Sequence, residues 1–198
     1  MTSALSLVER KQKAARERIV RAAAELFAEH GFDSVSVADI AERAEVGRTT
    51  FFRHFGDKQE VVFAREQALL DALTVENLGP VPSGSRSASS ALRALQPLFL
   101  HMCAHICEDP EEYRRHEQLV EGNIVLQGRS AAKAQLIARR LGELLVNEGW
   151  DDGVAILAGQ IALACYATAR AAVEGPETLV QAARDAFEQA LNLGSDGP

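Results

Sequence analysis

The stretch from Ser36 to Lys58, SVADIAERAEVGRTTFFRHFGDK, constrains this chain more than any other. Ser36 suits a helix N-cap, and Asp39 stands three residues on, at capping-box spacing. Val37, Ile40, Ala41 and Ala44 then recur at helical spacing, which predicts a short helix ending near Arg43 or Ala44. Glu45, Val46 and Gly47 make a tight corner. A second short helix follows from Arg48 to about His54, with Phe51, Phe52 and Phe55 as its apolar residues. Asp57, with Glu60 three residues on, opens a third. Two short helices across such a corner form a helix-turn-helix, which places its second helix in a DNA major groove.

The residues of that second helix suit this use. Arg48, Thr49 and Thr50 occupy its N-terminus, the part of a recognition helix that meets base edges. Arg donates two bonds to guanine; Thr bonds a base edge or phosphate, or touches a thymine methyl. Arg53, His54 and Lys58 add donors for backbone phosphates. Pattern alone leaves one alternative open, because any short amphipathic helix pair has this appearance.

The whole-chain charge is −7, the same sign as a polyanionic partner. Its distribution removes the conflict. Residues 1–58 hold ten Lys/Arg and nine Asp/Glu, the remainder eleven and nineteen. Met1–Arg21 alone carries six basic and two acidic residues. A basic end on an acidic body is compatible with end-on DNA binding, since phosphate contacts depend on local charge. Ser6 and Glu9 predict a first helix from Leu7 to His30, stopped by Gly31. Its apolar face begins only at Ile19, so the segment before it reads as a basic arm. Arg10, Lys11, Lys13 and Arg16 are then either solvated or extra phosphate contacts.

The rest of the chain reads as helices only, giving an all-α class. A connecting helix is expected over 58–77 and a Pro/Gly/Ser-rich loop over 79–87. Helices follow at 92–108, 113–121, 130–147, 152–173 and 177–193, with 123–128 undecided and a disordered tail over 193–198. Gly153–Ala169 holds no charge over seventeen residues. It is short for a membrane span and reads as a buried helix. Ala155, Ala158, Gly159, Ala162 and Ala169 allow close backbone approach, so this helix and the last one invite a partner. The first apolar run begins only at Ile19, so no signal peptide is expected, and three cysteines without a secretory context read as reduced thiols of a cytoplasmic protein.

Evidence for chemistry is thin. His101, His105 and Glu108 share one strip of a helix at metal-ligand spacing, but a solvated polar strip fits them better. Cys103 and Cys107 are four apart, a poor geometry for a disulfide within one helical turn. No Gly-rich phosphate loop and no GxSxG elbow is present. We therefore expect no catalytic residues, no metal and no cofactor.

The segment from about Arg16 to Lys58 resembles the DNA-binding domain of the TetR family of bacterial transcription regulators. The likeness is carried by RIVRAAAELFAEHGF at 18–32, SVADIA at 36–41 and TFFRHF at 50–55, followed by Lys58. By position, Ser36, Thr50, Phe52, His54 and Lys58 fall on family DNA contacts, and Arg48 and Thr49 where sequence-reading side chains vary. Three positions depart from the pattern. Glu45 stands where the corner usually has Gly, Gly47 replaces the usual Ser cap, and Phe52 stands where many members have a phosphate-bonding Tyr.

The resemblance implies a helix-turn-helix domain over 1–58 and a helical ligand-binding and dimerisation domain over 59–198. It implies a homodimeric repressor that holds a double-stranded DNA operator, paired through the helices at about 152–173 and 177–193. It also implies release by a small apolar effector, of acyl-CoA type if a C-terminal likeness holds. Phe99, Met102, Cys103, His105, Tyr113, His116 and Leu119 are then candidates to line the pocket. Two alternatives stand beside this reading: an activator or ligand-insensitive regulator of the same fold, and an all-α enzyme with an incidental helix-turn-helix.

Overall fold

The computed structural model describes residues 6–64, 73–81, 84 and 86–193. Every regular element among them is a helix. The chain divides into two compact units, Met1–Gln67 and Ala68–Pro198.

In the first unit, α1 (Leu7–His30) starts at a full capping box between Ser6 and Glu9 and stops at Gly31, whose φ of 77° is open to glycine. It buries Ala15, Ile19, Ala22, Ala23, Leu26 and Phe27. Three short helices pack on that strip: α2 (Val37–Arg43), α3 (Arg48–Phe55) and α4 (Lys58–Val62). Ser36 and Asp39 cap α2 reciprocally, and the Asp57 carboxylate accepts from the Glu60 N–H at the start of α4. Ile40, Phe51 and Ile19 are wholly buried. Val61, Phe63 and Ala64 are buried too, so the chain just beyond Lys58 belongs to this unit's core rather than to the second unit.

The expected helix over 58–77 is not continuous. Phe63 already leaves helical geometry, residues 65–72 lie outside the described residues, and Thr74 is extended before a 3-10 turn at Val75–Asn77. Adjacent β-branched residues at Thr74 and Val75, followed by Gly79-Pro80, disfavour helix there. Most of the expected tail, 194–198, also lies outside the described residues.

The second unit comprises α5 (Ala88–Ile106), α6 (Pro110–Glu121), α7 (Ile124–Asn147), α8 (Asp152–Ala172) and α9 (Leu179–Asn192). α8 packs on α5, α7 and α9. Segment 123–128 is helical because Asn123 caps α7, accepting from the Val125 and Leu126 N–H groups, while Leu126 is fully buried. A 3-10 turn at Pro176–Thr178 occupies the expected first turn of the last helix.

The small residues of α8 serve its own subunit. Ala155, Ala158, Gly159, Ala162 and Ala169 are all buried within the chain. Gly159 faces Ala138 of α7 so closely that an added Cβ would lie 2.4 Å from that residue's carbonyl oxygen. The outward strip of α8 is a different set: Ile156, Leu157, Gln160, Ala164, Ala167 and Ala171. An apolar helix offers several plausible inner faces, and sequence does not choose between them.

The corner between α2 and α3 is a Schellman motif: Val46 N–H donates to Ala41 C=O and Glu45 N–H to Glu42 C=O. Its left-handed position is Glu45, with φ of 53° and the only positive value outside glycine among the described residues. Glycine there would relieve about 1–2 kcal/mol, less the extra entropy it loses on folding. Glu45→Gly should therefore raise the unfolding free energy of the first unit by about 1 kcal/mol, read as a higher denaturant midpoint. Gly159→Ala should lower the stability of the second unit by about 1–3 kcal/mol through overpacking on Ala138. In the same melt Gly142→Ala should cost less, because its Cβ would meet Ala155 O at 3.3 Å.

Candidate nucleic-acid interface

A short helix presents a surface only if its opposite side is held. Phe51 and Phe55 are buried against α1, so α3 shows Arg48, Thr49, Phe52 and Arg53 to solvent. Thr50 is half-buried, and its N–H donates to Gly47 C=O at 2.8 Å. Gly47 is the N-cap of α3 and makes no side-chain cap bond. Phe52 is 49% exposed and touches Phe51 edge-on at 5.6 Å between centroids. Ser36, at the start of α2, is exposed, though its hydroxyl already accepts from the Asp39 N–H.

Two expected phosphate donors have intramolecular work. The Lys58 ammonium donates to Phe32 C=O at 2.7 Å and Val35 C=O at 2.8 Å, and lies 4.1 Å from the Phe32 ring centroid. It ties the α1–α2 loop to α4, with one of its three protons beyond those two carbonyl bonds. Arg16 donates to Ala64 C=O and stacks over Phe55 at 5.2 Å. It is a brace inside the first unit, not part of a free arm. Arg10, Lys11 and Lys13 remain exposed on the first turns of α1. Arg43, which sequence reading left without a role, pairs with Glu29 and Glu25 of α1. Glu25 and Glu29 share one face of α1 at i, i+4 spacing, a signal that was available in the sequence.

His54 is half-buried, and its Nε2 is buried without a hydrogen-bond partner among the described residues. Burial pushes its pKa down, with further contributions from Arg53 and Arg16. The ring is therefore held neutral in the folded protein at pH 7. As pH falls through about 6.5, the unfolded chain takes up this proton first, so His54 subtracts stability at acid pH. Denaturation of wild type and His54→Gln at pH 7 and 5.5 should show a smaller acid loss in the variant. Equal losses would contradict the assignment.

The expected pocket residues do not share one environment. Phe99, Met102 and Cys103 are buried in the core of the second unit, where Phe99 meets Phe187 at 5.4 Å and Tyr166 at 5.9 Å. Burial pushes the Cys103 thiol up to about 12, which leaves it an unreactive core group. His105 is exposed and bonded to Glu108 at 2.9 Å. Tyr113, His116 and Leu119 are half-buried on α6. Among the described residues no three His, Cys, Asp or Glu side chains are grouped as metal ligands.

Residues 19–64 match the family model described as bacterial regulatory proteins, tetR family. The chain is 40% identical over 93 residues to the transcriptional regulator TcmR of Streptomyces glaucescens, covering 45% of this chain and 40% of that protein. It is 41% identical over 68 residues to the repressor Rv3405c of Mycobacterium tuberculosis, covering 32% and 36%. The chain thus spans about two fifths of the length of these relatives. Over most of its length it shares a fold with SmeT of Stenotrophomonas maltophilia, solved with triclosan: TM-score 0.59, 23% identity, 91% of each chain. Thermus thermophilus FadR, solved with lauroyl-CoA, gives 0.56 at 24% identity over 89% of this chain and 93% of that one. The similarity to the tetR family of bacterial regulatory proteins thus lies in residues 19–64, the segment that holds the helix-turn-helix.

Proposed function

We propose that the chain is a cytoplasmic, homodimeric, sequence-specific DNA-binding regulator of transcription, a repressor released from its operator by a small apolar ligand. The observation that carries this reading is the solvent-facing Arg48 and Thr49, with the half-buried Thr50 beside them, at the N-terminus of a helix clamped by Phe51 and Phe55. In it, Arg48, Thr49 and Thr50 read base edges. Ser36, His54 and Lys58 position the backbone, Lys58 through the donor left after its two carbonyl bonds. Phe52 has no hydroxyl for phosphate, and its exposed ring suits a thymine methyl or sugar.

A helix-turn-helix reads two half-sites about 34 Å apart, or a multiple, when two copies are joined. The outward strip of α8 supports such pairing, since Ile156 is 64% and Leu157 51% exposed on a helix with no charge between Asp152 and Arg170. α9 turns Gln181, Arg184, Asp185, Glu188 and Gln189 outward, so in this dimer it supplies a polar rim around the α8 contact. By length and composition α8 would also cross a membrane; its packing on three neighbours favours the soluble reading.

Ligand release requires a molecule that binds the DNA-incompetent state more tightly than the competent one. Two proteins of the same fold are solved with ligands that carry a large apolar part, triclosan and the acyl chain of lauroyl-CoA, which supports an effector with an apolar part here.

A mobility-shift assay on DNA flanking the protein's own gene tests the reading. Binding should be specific, and Arg48→Ala should weaken it by about 1–3 kcal/mol and relax preference at one base pair. Unchanged affinity and preference would remove α3 as the reading helix. Ile156→Asp should convert the dimer to monomer in sedimentation and weaken operator binding with it. A variant that stays dimeric would exclude the α8 interface.

A further inference from the structure

We infer that Arg170 and Tyr113 form a receptor for the carboxylate of an amphipathic small molecule, and that Glu117 fills it as an internal stand-in. This rests on the reading of the second unit as a ligand-binding domain. It adds a chemical class, an apolar chain ending in an anion, and a group that the ligand displaces.

Three observations converge on this corner. Arg170 follows the uncharged run of α8, yet its side chain is only 31% exposed. It pairs with Glu117 of α6, whose side chain is 17% exposed, and it also meets the Tyr113 hydroxyl. Behind the pair lies apolar ground. The guanidinium stands 5.9 Å from the Tyr166 ring, which meets Phe99 edge-on, and Tyr113 packs against the same core as Phe99 and Cys103.

The helix that supplies Glu117 is lightly held. α6 buries one residue fully, Val120, whereas α5 buries nine. Beyond its packing along α7 and the half-buried Tyr113, two ion pairs tie it to the unit: Glu117 to Arg170, and Arg114 to Glu177 beside the start of α9. A desolvated ion pair contributes little net stability against other arrangements of the same charges, but loss of one partner is costly. A ligand carboxylate replaces Glu117 on Arg170 one for one, while Glu117 returns to water. The cation is never left alone, and α6 is freed to move over whatever the apolar chain occupies. Burial also holds the Tyr113 hydroxyl protonated, so it stays a donor to an arriving carboxylate.

The test uses the full chain, sodium decanoate and 1-decanol as probes, with binding read by calorimetry and melting temperature. Wild type should bind decanoate, and Glu117→Gln should bind it about 5–10-fold more tightly, because the internal competitor is gone. The double variant Arg170→Met/Glu117→Gln, which leaves no buried charge unpaired, should lose decanoate affinity at least tenfold while its decanol binding holds. Equal decanoate affinity with and without Arg170 would overturn the receptor while leaving an apolar effector site standing. Absence of decanoate binding to both wild type and Glu117→Gln would overturn it as well. Operator binding in the mobility-shift assay reports on the regulator reading independently of either result.

Discussion

An eight-residue helix does not persist in water, because its few hydrogen bonds cannot offset the ordering of its first turn. α3 exists because Phe51 and Phe55 are removed from solvent against α1, each burial contributing on the order of 1.5–3 kcal/mol. That contact fixes which side of α3 faces outward, and thereby which residues are free to meet a partner. The corner before it adds precision. Two Schellman bonds set the angle between α2 and α3, and the left-handed residue they require is Glu45. The first unit therefore holds α3 in register with a strained glutamate and a cap without a side chain at Gly47.

The cations of the first unit fall into two groups. Arg16, Arg43 and Lys58 spend their donors on backbone carbonyls and carboxylates, bracing α4, α2 and the α1–α2 loop. Arg48 and Arg53 on α3, with Arg10 and Lys11 on α1, face solvent. The division matters more than the total. A net charge near zero in residues 1–58 conceals acids and bases that pair with one another at the surface, as Arg43 does with Glu29, and exposed cations on α3 and the first turns of α1. Long side chains with several donors, such as arginine and lysine, suit both tasks.

Local signals in the sequence were legible because helix ends are local events. Ser6 with Glu9, Ser36 with Asp39, and Gly31 each set a boundary within a single turn. Glu45 was marked through resemblance alone, as a residue standing where such a corner usually has Gly, and its φ of 53° shows what that departure costs. What sequence did not disclose depends on packing at a distance. α8 is apolar around most of its circumference, and only the approach of Ala138 to Gly159 shows which side is inward. Nothing near Lys58 or Arg16 in sequence marks their carbonyl partners, which lie 23 to 48 residues away. The pocket candidates divide for the same reason. Helical spacing groups residues on one face of α5 or α6 but does not say whether that face meets the core or water.

The account as a whole requires two reading helices at a spacing set by duplex DNA. Hydroxyl-radical footprinting of the full chain on DNA flanking its own gene addresses this directly. It should give two symmetric protected blocks whose centres lie about one helical turn, ~34 Å, or a multiple apart. One isolated block, or no protection at low salt, would contradict it.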